Sequence, residues 1–311
     1  MDETNQTMVQ YFIIKGISDA PSLQLPIFLL ILIIYFLILG GNMTIFLLVC
    51  SDSQLHTPMY FFLCNLSVLD MCCSTVTLHY LLVMYVTGNN VVSFVSCMAQ
   101  VFFFASFTSN ELLILTAMSY DRFMAICNPL HYRMVMSMRM CSVLAFASWS
   151  LGFIEIIPYM VLILNIFCYR SNVINHFFCD IMPVIKLSCS DTSALETLIF
   201  TEGLFLLSFT PLILTCISYT FIIVTILRIR SSTGRRKAFY TCSSHLTVVI
   251  LLYMSLFLQY LRPFSIDTLD SGKLFSLVNT VAVPTLNPVI YSLKNKDVKS
   301  AVKRKLKHCK S

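Results

Sequence analysis

The chain has 311 residues, of which 57% are hydrophobic and only 12% charged, and its mean hydropathy is +0.80. Soluble domains carry about 25% charged residues, so a soluble enzyme or nucleic-acid-binding module is excluded and a polytopic membrane protein remains. The formal net charge of +6 then belongs to a membrane face, where it meets anionic lipid.

Seven apolar stretches are long enough to cross a bilayer as helices, at 25–49, 58–85, 98–122, 141–164, 197–228, 238–261 and 273–292. A span needs about 20 apolar residues, and the fold class expected is an all-α membrane protein, a seven-transmembrane-helix bundle. With the N-terminus outside, Lys15, Arg170, Lys186, Arg262 and Lys273 fall on the outer side and the other sixteen Lys and Arg on the inner side. Basic residues are retained on the cytoplasmic side, so this orientation is expected, at the plasma membrane. Met1-Asp2-Glu3 is acidic where a cleavable signal would be basic, and span one is read as an uncleaved anchor. The expected division is an extracellular tail over 1–24, the bundle over 25–292, and a cytoplasmic amphipathic helix and tail over 293–311. In the outer tail Asn5-Gln6-Thr7 is a glycosylation sequon.

In span one, Asn42 places an amide among apolar residues, where helix-to-helix bonding is its ordinary role. Span two opens with Leu55-His56-Thr57-Pro58-Met59-Tyr60, in which Thr57 can cap and Pro58 takes the first helical position. Asp70 lies near mid-membrane, and Glu111 of span three supplies a second carboxyl. Two carboxyls in an apolar interior cannot both ionise without a cation or proton between them. Asn42, Asp70, Glu111 and Asn287 are therefore the candidate sodium or proton site. The alternative is a hydrogen-bonded network with one carboxyl protonated.

Span three ends in Met118-Ser119-Tyr120-Asp121-Arg122-Phe123-Met124-Ala125-Ile126-Cys127, an acid–base pair where hydrocarbon gives way to water. Such an ion is costly unless paired, hydrated or used, and the pair is read as a switch. Span four holds Trp149, Glu155 and Pro158; Glu155 either faces a cavity or sits protonated at the seam with span five. The loop after span four carries Cys168, Cys179 and Cys189, which with Cys97 are the cysteines on the outer face. Four cysteines allow three pairings. His176-x-x-Cys179-Asp180 has soft-metal ligand types, but a cysteine in a disulfide offers no thiolate.

Span five contains Glu202-Gly203, then Pro211, which interrupts the helix ladder and makes a local bulge expected. Ser218-Tyr219 closes it, a short basic connection follows, and span six begins Lys237-Ala238-Phe239-Tyr240-Thr241-Cys242-Ser243-Ser244-His245-Leu246. Span seven ends Pro284-Thr285-Leu286-Asn287-Pro288-Val289-Ile290-Tyr291. Asn287 and Pro288 loosen that helix one turn above Tyr291. Leu293, Val298, Val302 and Leu306 recur at helical spacing among lysines, as in an amphipathic helix lying on lipid.

Taken together and in this order, these strings closely resemble the olfactory receptors, a branch of the rhodopsin-like G-protein-coupled receptors. The resemblance covers nearly the whole chain. It implies the pairings Cys97–Cys179 and Cys168–Cys189, and a coupling set of Asp121, Arg122, Tyr219, His245, Asn287, Pro288 and Tyr291. It also implies an outer-half ligand pocket: Phe104, Ala105, Thr108 and Ser109 on span three, with Gly203, Leu204 and Leu207 on span five. Spans six and seven would add Tyr253, Leu256, Phe257 and Tyr260, then Leu277 and Thr280. The implied partners are a small-molecule odorant, membrane lipids and a stimulatory, olfactory-type heterotrimeric G protein that raises cyclic AMP. No nucleic acid is implied, and no cofactor beyond the candidate sodium ion. Two departures stand out: Phe123 replaces the family's usual Tyr, and the base of span six is basic where many rhodopsin-like receptors place an acid. A resting partner for Arg122 must then lie elsewhere, with Asp121 nearest. The rival readings are a non-olfactory chemosensory receptor and a secondary transporter, but no internal repeat supports the latter. No His-Glu-x-x-His string or nucleophile–base pair marks an enzyme.

Overall fold

The computed structural model of the chain describes residues 9–18, 20–260, 269–293 and 296–308; the side chains of 204–207, 237, 269–271, 291–293, 296–297 and 306–308 fall outside it. Asn5 lies outside the described residues. Span one is Pro21–Ser51, span two Pro58–Thr87, span three Phe94–Cys127, span four Met138–Leu164 and span six Ser232–Tyr260. Span five joins Ser193–Leu198, Ile199–Phe209 and Thr210–Arg228, and span seven joins Leu269–Leu277, Val278–Ala282 and Val283–Leu293. The fold is a seven-transmembrane-helix bundle followed by a short amphipathic helix, Lys296–His308.

Span three packs against spans two, four and five, while span one packs against two and seven. Span three is the most enclosed, and span one turns Leu30, Ile33, Phe36 and Leu37 outward toward what would be lipid. Gly41 and Gly152 set two of the close approaches. A Cβ at Gly41 would come within 3.0 Å of the Pro288 ring, and one at Gly152 within 2.5 Å of the Asn110 amide.

The windings follow from the prolines and from polar side chains. Pro158 has no N–H for the carbonyl of Ile154, and span four breaks there into Met138–Ile154 and Ile157–Leu164. The bulge expected near Pro211 is a π winding, Ile199–Phe209, just before it, and Ser208 Oγ donates to the Gly203 carbonyl at 2.9 Å. Two more π windings, Thr75–His79 and Val278–Ala282, interrupt spans two and seven. At Thr57 the expected side-chain cap is absent: the residue is extended, and its backbone carbonyl accepts from Phe61 N at 3.0 Å instead. Pro58 does take the first turn.

At the disulfide end, Tyr11–Ile14 forms the middle strand of a small sheet. It runs antiparallel to Val91–Ser93, with Tyr11 opposite Ser93, and parallel to Val173–Ile174, with Ile13 opposite Val173. Phe12 and Ile14 alternate inward and are fully buried. At the other end the Lys296–His308 helix buries Val298 and Ala301. Arg304 donates to Asp52 Oδ2 from Nε at 3.0 Å and Nη2 at 2.6 Å, and Lys305 Nζ to the Ser51 carbonyl at 3.0 Å. That guanidinium holds the Asp52 carboxyl below its usual range.

Candidate ligand pocket and switch

The disulfide end is closed by the loop after span four. Cys97 and Cys179 are bridged, as are Cys168 and Cys189, with Cα atoms 5.4 and 5.3 Å apart. Cys179 N donates to Gln100 Oε1 at 2.8 Å, and Gln100 Nε2 donates to the Val76 carbonyl at 2.6 Å. The loop is thereby fastened to spans three and two. Phe178 stands edge-on to Phe104, ring centres 4.8 Å apart. His176 lies 3.1 Å from Ser276 Oγ through Nε2, while its Nδ1 accepts from Phe178 N at 3.4 Å. With Nδ1 accepting, Nε2 carries the hydrogen. Burial, reinforced by Lys273, pushes the His176 pKa down to about 3, so the ring is neutral at physiological pH.

Asp180, buried at the end of the same loop, accepts from Gln259 Nε2 at 2.8 Å, Tyr260 Oη at 3.0 Å and Ile181 N at 2.8 Å. Burial raises its pKa, and these donors pull the other way. Sequence reasoning missed Asp180, Gln259 and Gln100 as fastenings; a carboxylate directly after a bridged cysteine was the available signal.

Of the pocket residues, Phe104 meets the loop and Tyr260 is hydrogen-bonded to it. Phe257 packs between Tyr253 and Phe209 at 5.9 and 5.8 Å. Thr108 carries a buried hydroxyl with no hydrogen-bond partner among the described residues. Ser109 Oγ donates to Glu155 Oε2 at 2.8 Å, which ties Glu155 to span three. A Cβ at Gly203 would sit 3.4 Å from Tyr159 Oη. Thr280 is buried and donates to the Ser276 carbonyl at 2.8 Å, Leu256 is buried, and Ala105 and Leu277 are half-buried. The side chains of Leu204 and Leu207 lie outside the described residues. A groove of about 340 Å³ lies elsewhere, between spans two and three, lined by Val76, Tyr80, Gln100 and Phe103 among others.

In mid-bundle, Asn287 Nδ2 donates to Asp70 Oδ1 at 3.0 Å and Oδ2 at 2.9 Å. Asn42 Nδ2 donates to the carbonyls of Ile38 and Pro284, each at 3.1 Å, joining spans one and seven. Glu111 lies within electrostatic range of Asp70. Glu111 Oε1, Asn287 Oδ1, Asn42 Oδ1, Ser67 Oγ and Ser74 Oγ are buried oxygens without a partner among the described residues. Carboxylate, amide and hydroxyl oxygens are the donor types that hard cations take.

At the far end of span three the expected Asp121–Arg122 pairing does not form. Asp121 Oδ1 accepts from Tyr132 Oη at 2.8 Å, and Arg122 Nη2 contacts Met59 Sδ. Neighbours on a helix point about 100° apart, which carries the two groups to different partners. Nearby, Tyr219 Oη lies 2.7 Å from His245 Nδ1 and 3.4 Å from the Cys242 carbonyl, with the two rings stacked. This contact joins spans five and six. Pro288 packs on span one through Gly41; the Tyr291 side chain lies outside the described residues.

A seven-helix bundle with a disulfide-tied loop over one end and an acid–base pair at the other defines a membrane receptor of the G-protein-coupled class. A family model described as "Olfactory receptor" matches residues 31–309. The mouse (Mus musculus) olfactory receptor 5AR1 is 45% identical over 304 residues, 98% of each chain. Human (Homo sapiens) olfactory receptor 1L4 is 45% identical over 297 residues, 96% of this chain and 95% of that one. Human olfactory receptor 6C3 is 46% identical over 299 residues, 96% of each. The chain belongs to the olfactory receptor family. It is a multi-pass plasma-membrane receptor and not an enzyme.

Proposed function

We propose that the chain is an odorant receptor that binds a small, volatile molecule in the disulfide-end half of the bundle and activates a stimulatory, olfactory-type G protein, raising cyclic AMP. The disulfide end and the 1–24 tail face outside, Asn5 is glycosylated, and 293–311 lies inside. Sixteen of the 21 Lys and Arg fall on the inner side in this orientation. The pocket draws on Phe104, Ala105, Thr108 and Ser109, on Gly203, Leu204 and Leu207, and on Tyr253, Leu256, Phe257, Tyr260, Leu277 and Thr280. That is apolar surface with a few hydroxyls, the make-up of a small-molecule cavity.

The observation that carries the reading is the Tyr219–His245 contact of 2.7 Å, with Arg122 in electrostatic range of His245. It is a releasable tie between spans five and six at the face a G protein would meet. A ligand that binds the open arrangement more tightly shifts the population toward it. Asp121, Arg122, Tyr219, His245 and Tyr291 then regroup around an inner cavity, with Asn287 and Pro288 as the hinge of span seven. Moving the population from 1:99 to 99:1 takes about 5.5 kcal/mol of differential affinity, so weak volatile ligands give partial responses. Asp70, Glu111, Asn287 and Asn42 hold a sodium ion or a proton in the resting arrangement, and the partnerless oxygens support that assignment. The test is an odorant screen in cells reporting cyclic AMP, with Arg122→Ala alongside. Loss of the response with surface display retained is expected; a displayed variant that still signals fully refutes the assigned role.

A further inference from the structure

Besides its strand pairing with Tyr11–Ile14 and the His176–Ser276 contact to span seven, the loop after span four is held in two different ways. Toward spans two and three it is fixed by the Cys97–Cys179 bridge and by Gln100, which spans from Cys179 N to the Val76 carbonyl. Toward span six its described fastening is a set of hydrogen bonds on one carboxylate: Asp180 takes Gln259 Nε2 at 2.8 Å and Tyr260 Oη at 3.0 Å. A covalent tie on one side and exchangeable bonds on the other make a latch. The fixed side is span three, and the exchangeable side is the helix that carries His245 about four turns further along.

Asp180 is 2% exposed, so its bonds are shielded from water, and a buried, charge-assisted set of this kind is worth more than its surface equivalent. Gln259 Oε1 is buried without a partner among the described residues. Among the described residues the Gln259 amide is thus oriented by Asp180 through its nitrogen.

We propose that Asp180 is a positioning residue that latches the outer end of span six to the disulfide-fixed loop and holds the resting arrangement until a ligand seated beneath the loop draws Gln259 and Tyr260 away. The signalling half of this proposal rests on the reading that span six moves to engage a G protein. The latch itself does not.

The experiment is hydrogen exchange on the purified full chain in detergent, ligand-free, for wild type, Asp180→Asn and Tyr260→Phe. The first variant weakens the latch from the loop and the second from the helix. Exchange over 253–260 rises about tenfold in both, the factor that corresponds to losing ~1.4 kcal/mol of hydrogen bonding, while 97–111 on span three is unchanged. Unchanged exchange over 253–260 in both variants overturns the latch, as does equal acceleration along every span, which would mean general loosening. In cells that display the receptor, Asp180→Asn raises basal cyclic AMP several-fold. A flat basal level in a receptor whose wild type answers an odorant overturns the latch's role in signalling. A wild type that answers no odorant in the screen counts against the proposed function, and the exchange result still decides the latch.

Discussion

Gly152→Ala tests the central seam of the bundle most directly. The added Cβ falls 2.5 Å from Asn110 Nδ2, 2.6 Å from Cγ and 2.9 Å from Oδ1, well inside contact distance for all three. Asn110 is fully buried and donates to the Ser106 carbonyl at 2.8 Å, so it cannot step aside without losing that bond. Overpacking costs about 1–3 kcal/mol and a lost hydrogen bond about 0.5–1.5 kcal/mol. The sum, ~1.5–4.5 kcal/mol, corresponds to a fall in melting temperature of roughly 3–9 °C at ~2 °C per kcal/mol for a long chain. The assay is thermal unfolding of the detergent-purified receptor as Gly152→Ala, Asn110→Ala and the double variant. Removing the Asn110 amide opens the space the new methyl needs, so the double variant should be more stable than the sum of the singles predicts, by about 1–2 kcal/mol. A Gly152→Ala receptor that melts with the wild type, or strictly additive singles, refutes the close-approach argument.

Trp149 is the one tryptophan, and its Nε1 donates to Asn65 Oδ1 at 3.1 Å. Asn65→Ala should therefore shift the protein's indole emission and cost about 1 kcal/mol in unfolding; an unmoved spectrum counts against that bond. His176, with its pKa lowered to about 3 against ~6.5 unfolded, contributes fully above pH 6.5. Stability is then lost as pH falls from ~6.5 toward ~3, at up to ~1.4 kcal/mol per unit. Melting temperature against pH should show this slope in wild type and a flatter one in His176→Gln, and parallel curves would remove His176 from the account. Asp52→Ala and Arg304→Ala should each raise hydrogen exchange across 298–305, with the double variant no worse than either. Additive effects would show that the two residues act separately.

The helices were legible because the apolar runs exceed the length a bilayer requires, and the prolines at 158 and 211 were legible as interruptions because they lack a donor. The small sheet was not. Tyr11–Ile14 is too short to carry a period, and its partners lie in loops about 80 and 160 residues away. The carboxyl Asp70 and the amide Asn287 were legible because polar groups in an apolar run must find partners, and the structure brings them together at 2.9 Å. The partner of Arg122 was not. Adjacency in sequence suggested Asp121, yet helical geometry separates neighbours. The thioether that touches the guanidinium comes from Met59, a residue with no charge to announce it. Asp180 and Gln259 stayed hidden for a related reason: each lies at the edge of a motif and acts across 79 residues.

Span three connects what the rest of the bundle must relate. Its 34 residues reach about 51 Å at 1.5 Å per residue, and along them stand Cys97, Gln100, Phe104, Ser109, Glu111, Asp121 and Arg122. It has no interior proline or π winding, so it serves as a fixed post and not as a lever. Spans two, five and seven each carry a π winding, where the hydrogen-bond ladder is already locally rearranged and a change of angle is cheapest. Span six is bound to its surroundings by Asp180 at its Tyr260 end and by Tyr219 near its middle, through His245, both through bonds that can exchange. On the proposed function, a signal crossing this molecule would travel by trading partners at these two ties on span six while span three stays fixed. For that reason the loss of either tie should raise basal activity, while damage to the span three seams at Gly152 should lower stability without favouring either state.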